Sequence, residues 1–276
     1  MFTNSIINML EDIFKNVTNF AGESSALTSP LTTYNVQIYN WAKLILENVM
    51  MPVSTTILAL FALLEVHRAS LKMESMGSSS MPAEIIIKIV FRVALAKIAL
   101  DSTPIIMQAV YNLTTHLTTQ ISEIMQVSDI TGVGAGQFRD MVDDLDFGQQ
   151  LGAFCTCFLV KFLTWIATMV ASIIVSARFI EIYLYFTVSP LPLATFLSDE
   201  NSQIGKNFLK SFAAACLQGT LIYIVLSFFP VLMKGTLENT AAGIDGVMKG
   251  ALGYCLVLVV AIFSTGKWSK SIVGAS

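Results

Sequence analysis

The stretch from Arg178 to Gly219 constrains the fold of this chain more than any other. It contains an apolar run that carries Arg178 and Glu181, a Pro-Leu-Pro break, a short polar turn and a second apolar run. A buried strand or helix of a soluble protein does not need this much apolar length, and a soluble loop would not carry an arginine and a glutamate into it. The pattern predicts two membrane helices joined by a hairpin.

The composition of the whole chain points to the same class. Hydrophobic residues make up 54% of the sequence and charged residues 13%, and the mean hydropathy is +0.69. Soluble domains carry roughly 25% charged residues. We therefore expect an all-α, polytopic bundle of transmembrane helices. The net charge of -3 gives no basic surface for stable nucleic-acid binding, although transient passage of DNA through an assembly is compatible with it.

Three short segments within and after the first apolar run carry a resemblance to a known family. RFIEIYL, SPLPLATF and GKNFLKSFAAACLQG, together with the order of the hydrophobic spans, resemble the TrbL-like channel subunit of conjugative type IV secretion systems. The versions on Gram-positive mobile genetic elements are the most similar. The resemblance covers residues 40–265. It implies a non-enzymatic channel subunit in the cytoplasmic (inner) membrane that works with other channel subunits and secretion ATPases in the transfer of DNA or protein.

The residues that could support catalysis or metal binding form no constellation. His67 and His116 have no partners at ligand spacing, and the four cysteines lie in apolar runs without a CxxC motif: Cys155, Cys157, Cys216 and Cys255. The cysteines are interpreted as small hydrophobic residues. We expect no catalytic residue, no metal site and no cofactor.

The first 40 residues are expected to form a region of their own, separate from a transmembrane domain at 41–276. Residues 3–20 have apolar side chains at helical spacing and predict an amphipathic helix. Its polar face is not rich in Lys or Arg, so it could lie on the bilayer or dock on a partner. Residues 21–40 are rich in Ser, Thr and Asn and predict a linker.

About six spans are expected from the lengths of the apolar runs. They are Leu44–Leu64, Val93–Leu113, Leu151–Ala177, Phe179–Leu197, Ser211–Met233 and Gly250–Gly266. Residues 114–150 are polar, with a glycine tract and an acidic cluster, and predict a solvated loop that the resemblance makes a contact surface for other channel parts. Basic residues divide evenly between the two sides. Their density after the first span favours an external N-terminus.

The second span contains charges that would oppose its insertion. A central Lys or Arg costs about 2.5 to 3.5 kcal/mol, whereas a Leu or Ile returns only about 0.3 to 0.6. We expect the span to begin near Val93, which leaves Glu84, Lys88 and Arg92 on one face of a juxtamembrane turn, and we expect Lys97 and Asp101 to pair at i, i+4. A ring-like homo-oligomer or a tight heteromeric complex is expected to relieve the charges of this helix. The alternative is a long helix in the membrane interface.

Further candidate residues lie in the later spans. Lys161, Arg178 and Glu181 are candidate intramembrane charge pairs or channel-lining residues, and Pro190 and Pro192 predict a helix break. For Arg178 and Glu181 the alternative is a local salt bridge with Arg178 reaching the headgroups. Small residues predict close helix packing: Thr164, Thr168, Ser172 and Ser176 on one helix, and Gly246 and Gly250 at the start of the last span.

Three functional hypotheses follow. The first is the channel subunit described above. The second is a secondary transporter with a proline-broken helix, although no second half of the chain repeats the Arg178 to Pro192 pattern. The third is a structural membrane scaffold.

Overall fold

The computed structural model describes residues 4–6, 8–9, 12–13, 25–75, 83–124, 146–198, 201–238 and 243–275. Within them the chain is helical and contains no strand, which confirms the all-α prediction. The helices are α1 Ser25–Thr28, α2 Leu31–Tyr34, α3 Val36–Ile45, α4 Met51–Ser75, α5 Ala83–Asp101, α6 Thr103–Ile124, α7 Phe147–Val188, α8 Pro190–Leu193, α9 Ser202–Glu238 and α10 Gly243–Val273. A π-helical turn, Leu46–Met50, joins α3 to α4, and a 3-10 turn, Ala194–Leu197, follows α8.

Four helical segments of the described chain are long and apolar enough to cross a membrane. They are Val36–Lys72, Phe147–Val188, Ser202–Phe229 and Lys249–Val273. About six spans were expected, and four helical segments of the described residues meet this length and composition. The predicted second span, Val93–Leu113, is divided between α5 and α6 at Ser102 and carries two charges, Lys97 and Asp101. The predicted third span and the first half of the fourth, up to Val188, belong to one helix, α7, because no helix-breaking residue occurs between its glycines and Pro190. The rest of the fourth span lies in α8 and the 3-10 turn.

The helical contacts divide the chain into two compact units. The first comprises Met1–Ser29, Thr115–Arg178 and Gln218–Trp268, and the second comprises Pro30–Thr114, Phe179–Leu217 and Ser269–Ser276. Several helices contribute residues to both. The division of the chain at residue 40 stays a prediction.

The core of the first unit is built from small residues on α7. Its buried positions recur every three or four residues, so they lie on one helical face: Ala153, Cys157, Val160, Thr164, Ala167 and Ala171. This face packs in one cluster with α9 and α10, which contribute Ile222, Leu226, Cys255, Leu258 and Ile262. Small side chains let the helix backbones approach closely, which is how membrane helices gain packing energy.

The N-terminal segment packs on this same core. Ile6 and Ile13 are buried in the cluster that contains Cys157 and Val160. The segment thus docks on its own chain at these positions. Its position on the bilayer or on a partner stays a prediction. Residues 14–20 lie outside the described part of the chain.

The second unit combines the hairpin of α4 and α5 with an aromatic cluster. Leu58 of α4, Leu100 of α5 and Ala194 of the 3-10 turn share a buried cluster. Elsewhere in the unit the ring of Tyr34 stacks on Phe179 with centroids 3.5 Å apart.

Helices also replace parts of the predicted irregular segments. The predicted linker at 21–40 contains α1, α2 and the start of α3, where the Asn35 side chain accepts a hydrogen bond from the Ile38 N–H at 3.0 Å and caps the helix. The predicted loop at 114–150 is helical at both ends, up to Ile124 and from Phe147 onward. Its glycine tract lies outside the described residues.

Candidate functional site: charged residues in apolar helices

Lys97 and Asp101 are brought together by one turn of α5. The Lys97 Nζ lies 2.6 Å from Asp101 Oδ1, and the two side chains are 45% and 56% exposed. The spacing of four residues places them on one helical face. Both charges are therefore satisfied locally, and both stay accessible from outside the second unit.

A second ion pair connects α4 with α5. Arg92 Nη1 lies 3.2 Å from Glu65 Oε1, and Glu65 is only 19% exposed. Arg92 was expected at a juxtamembrane turn, and Glu65 was not predicted as a site residue. The two residues are 27 positions apart, so only the register of the hairpin brings them together.

Lys161 is paired with the N-terminal segment. Its Nζ lies 2.7 Å from Asp12 Oδ2, with side-chain exposures of 39% and 55%. Ile13, next to Asp12, is buried in the core of the same unit. The apolar contacts of the segment therefore hold a carboxylate beside a lysine that lies within a long apolar helix. Lys161 was a candidate site residue from the sequence, but its partner, which is 149 positions away, was not.

Arg178 is buried in the first unit and is 3% exposed. Its guanidinium lies against Gly219 of α9, where a Cβ atom would overlap it. Gly219 was not identified as a site residue from sequence, although it ends the segment GKNFLKSFAAACLQG. Because Gly219 has no side chain, the Arg178 guanidinium can occupy the space beside the α9 backbone.

Glu181 and Tyr185 follow on α7 in the second unit. Glu181 is half-buried. The ring of Tyr185 makes edge contacts with Phe208 and Phe212 of α9, with centroid distances of 5.4 and 6.1 Å. The Tyr185 position is therefore part of an aromatic helix contact.

The Pro-Leu-Pro segment ends α7. Pro190 has no N–H to donate to the carbonyl of Phe186, four residues earlier, and the Ser189 hydroxyl donates to that carbonyl at 2.7 Å instead. The Thr195 hydroxyl donates to the Pro192 carbonyl at 2.7 Å. Gly205 of α9 packs on this turn, because an added Cβ would lie 2.8 Å from the Pro192 oxygen. Hydroxyl groups thus satisfy carbonyls where the helix ends.

The predicted small-residue stripe on α7 separates into buried and exposed positions. Thr164 is buried and its Oγ1 lies 3.4 Å from the Cys255 Sγ of α10. Thr168 is partly buried, and Ser172 is exposed. On a helix of 3.6 residues per turn, each residue is rotated by about 40° around the helix axis relative to the residue four positions earlier. A strict four-residue stripe therefore leaves the packed face.

Gly246 and Gly250 are half-buried on α10. With Gly253 of α10 and Gly235 of α9 they line a groove of about 710 Å³ in the first unit. The cysteines differ in environment: three of the four are buried, and Cys155 is exposed on α7.

The long apolar helices and the charges that they carry define an α-helical membrane protein. A family model described as TrbL/VirB6 plasmid conjugal transfer like protein matches residues 13–190, which is more than half of the chain. The protein belongs to this family of conjugal transfer proteins. The match includes RFIEIYL and ends at Pro190, so the third segment of the resemblance lies outside it. No curated protein and no solved structure matches the chain.

Proposed function

We propose that the protein is a non-enzymatic, multi-pass subunit of a conjugative type IV secretion channel in the cytoplasmic membrane. The match of residues 13–190 to a conjugal transfer family carries this proposal. The subunit would act as a homo-oligomer together with other channel subunits and secretion ATPases. Translocated DNA would make only transient contact with it.

The charged residues support a role in an assembly. Ionisable side chains in membrane helices are costly and usually mark a pathway or a contact between helices. Arg92, Lys97 and Lys161 each have an acidic partner within 3.2 Å, so the chain retains charges and neutralises them in pairs. We assign Lys97, Asp101 and Lys161, which are partly exposed, to the channel lining or to subunit contacts.

The break at Pro190 and Pro192 and the buried Arg178 have a different proposed role. They fix the end of α7 and its contact with α9, with Glu181 on the α7 face that leads into the break. We propose that this region shapes the passage, and that Thr164, Gly246 and Gly250 serve helix packing.

Deletion of the gene from its mobile element tests the proposal. Transfer frequency to a recipient strain should fall to background and return when the intact chain is supplied in trans. Purification of the tagged chain in mild detergent should recover other channel subunits and a secretion ATPase. A monomer in native mass spectrometry that transports a solute alone in liposomes would instead support the transporter hypothesis.

A further inference from the structure

The outer face of α7 exposes large apolar side chains over an unusual length. They extend from Phe147 to Leu184, which corresponds to about 55 Å at 1.5 Å per residue. The hydrocarbon core of a bilayer is about 30 Å thick, and transmembrane helices rarely tilt by more than about 40°. Even at that tilt a helix has only about 39 Å of its length within the core. Lipid therefore cannot cover the whole face.

The last helix gives an internal comparison. Large exposed apolar side chains on α10 extend from Leu256 to Ile272, about 24 Å, which fits within one bilayer. At its beginning α10 instead exposes Lys249 and Gly253. The apolar band of α10 thus has the length that a lipid contact requires, and that of α7 has about twice this length.

Contacts within the first unit show which part of the exposed α7 face lies beyond the height of the α10 apolar band. Thr164 of α7 faces Cys255 of α10. Further along both helices, Arg178 lies against Gly219, and the neighbouring Gln218 lies against Gly266. Residue numbers therefore increase in the same direction along α7 and α10, so the two helices run parallel in this unit. The part of α7 before Thr164 is therefore level with the part of α10 before Cys255, outside the α10 band.

Two complementary surfaces lie at this level. The first, which we call the α7 ridge, is a set of bulky residues that are 46% to 68% exposed: Phe147, Leu151, Phe158, Leu159, Phe162 and Trp165. The second is the groove between α9 and α10, with a volume of about 710 Å³ and four glycines in its wall: Gly235, Gly246, Gly250 and Gly253. The ridge projects large aromatic and leucine side chains, and glycines form half of the groove lining beside Val231, Leu232, Tyr254 and Val257.

We propose that the α7 ridge of one copy packs into the glycine groove of a second copy of the chain. The proposal rests on the homo-oligomer of the proposed function and identifies its interface. Copies related by an axis normal to the membrane keep each residue at its own height, and the part of the ridge from Phe158 to Trp165 is at the height of the groove. Because the two surfaces are different patches, the contact is heterologous and generates a ring when it closes.

The ridge supplies large side chains to the contact. Each ridge side chain exposes about 100 Å², since buried aromatic residues account for about 150 to 250 Å² each. The four ridge residues at the height of the groove, Phe158, Leu159, Phe162 and Trp165, therefore supply about 400 Å². Aromatic residues at the centre of such a contact usually carry most of its binding energy.

Cysteine cross-linking in membranes tests the contact directly. Cys155 is exposed beside the ridge and is level with Gly246, because each lies nine positions before the facing Thr164 and Cys255. Gly246→Cys, or Gly250→Cys if the first variant does not accumulate, should form disulfides with Cys155 of the next copy on oxidation. A heterologous contact gives a ladder of dimers, trimers and larger species on non-reducing gels.

Two controls make the cross-link decisive. Cys155→Ser in the same background should remove the ladder, and Phe263→Cys, an exposed α10 position about 25 Å further along the helix, should give none. The proposal is overturned by the absence of cross-links, by an equal yield from Phe263→Cys, or by products that stop at the dimer. Dimers from the unaltered chain through Cys155 alone would indicate an α7 to α7 contact instead.

A matched pair of substitutions tests the groove by its volume. A Cβ atom at Gly253 meets nothing within 4 Å, so Gly253→Phe should fold and fill the groove. Its ladder yield should fall at least about tenfold, equivalent to about 1.4 kcal/mol. Val260→Phe adds bulk to the lipid-facing side of α10 and should keep the full ladder. An unchanged ladder in Gly253→Phe would refute the contact.

Transfer assays separate this proposal from the proposed function. A ladder together with normal transfer in the deletion strain would mean that the interface exists but the channel role is wrong. Loss of transfer in the deletion strain without a ladder would mean that the channel role holds but another surface joins the subunits.

Discussion

Gly219 of α9 lies directly against the guanidinium of Arg178 of α7, and the arginine is 3% exposed. A large charged side chain thus occupies the space that any other residue at position 219 would need. The pair joins α7 to α9 inside the first unit. This helix contact requires that position 219 carry no Cβ methyl group.

We expect Gly219→Ala to destabilise the protein by roughly 1 to 3 kcal/mol, the usual range for overpacking a filled core. Thermal unfolding in detergent measures the change as a lower melting temperature. Gly152→Ala is the control, because a Cβ there meets nothing within 4 Å, and it should be neutral or stabilising by up to about 1 kcal/mol. Combining Gly219→Ala with Arg178→Ala should cost less than the sum of the two changes. Strict additivity would contradict the contact.

Ser189 is expected to support the end of α7 through the Phe186 carbonyl. Ser189→Ala leaves this buried acceptor without the hydroxyl, which costs about 1 to 3 kcal/mol. Pro190→Ala returns a backbone N–H to the same carbonyl, so the double variant Ser189→Ala, Pro190→Ala should recover part of the loss. Ser264→Ala is the control, since its hydroxyl bonds to Val260 on an exposed helix face. Melting temperatures in detergent decide the outcome, and an equal loss in Ser264→Ala would contradict it.

The spacing of charged residues shows how much of this arrangement was predictable. The pair of Lys97 and Asp101 is local, so helical periodicity alone predicted the partners. The partners of Arg92 and Lys161 come from distant segments, and no periodicity encodes the hairpin register or the docking of the N-terminus that selects Glu65 and Asp12. Long-range partners require the packed helices to be known.

Helix length and packing show the same limit. Hydropathy located the apolar runs of the four long helices but not an unbroken helix at Val93–Leu113, and it divided α7 into two predicted spans on either side of Arg178. In the structure the arginine is buried by protein, so the helix continues. The regular spacing of Thr164, Thr168 and Ser172 suggested one packing face, but the buried face follows the alternation of three and four residues from Ala153 to Ala171.

Lys97 and Asp101 are expected to compensate each other. Lys97→Ala or Asp101→Ala leaves one charge without its neighbour on an apolar helix, so protein abundance or transfer should fall. Exchange of the two residues should restore both. Lys43 and Glu47 form the matched control, because they are also at i, i+4, 3.8 Å apart and half exposed. Their neutralisation near the beginning of a span should have little effect. Wild-type behaviour of both α5 variants would place that pair at the solvated interface.

The last prediction separates the roles of Glu181 and Tyr185. Glu181 is half-buried on α7, whereas Tyr185 contacts the rings of Phe208 and Phe212. Because position 185 faces the rings of Phe208 and Phe212, Tyr185→Cys should be labelled by membrane-impermeant maleimides more slowly than Glu181→Cys. Glu181→Cys should be labelled from one side if its face opens into the channel lumen.

Glu181→Gln keeps the size of the side chain and removes its charge. If the carboxylate acts in the passage, the variant should accumulate and assemble normally while transfer falls by at least about tenfold, a change of about 1.4 kcal/mol in the activation free energy. Tyr185→Phe is the control, because it keeps the ring contacts and should transfer normally. Loss of folded protein in Glu181→Gln, or transfer at the wild-type level, would show that Glu181 serves only the local structure of α7.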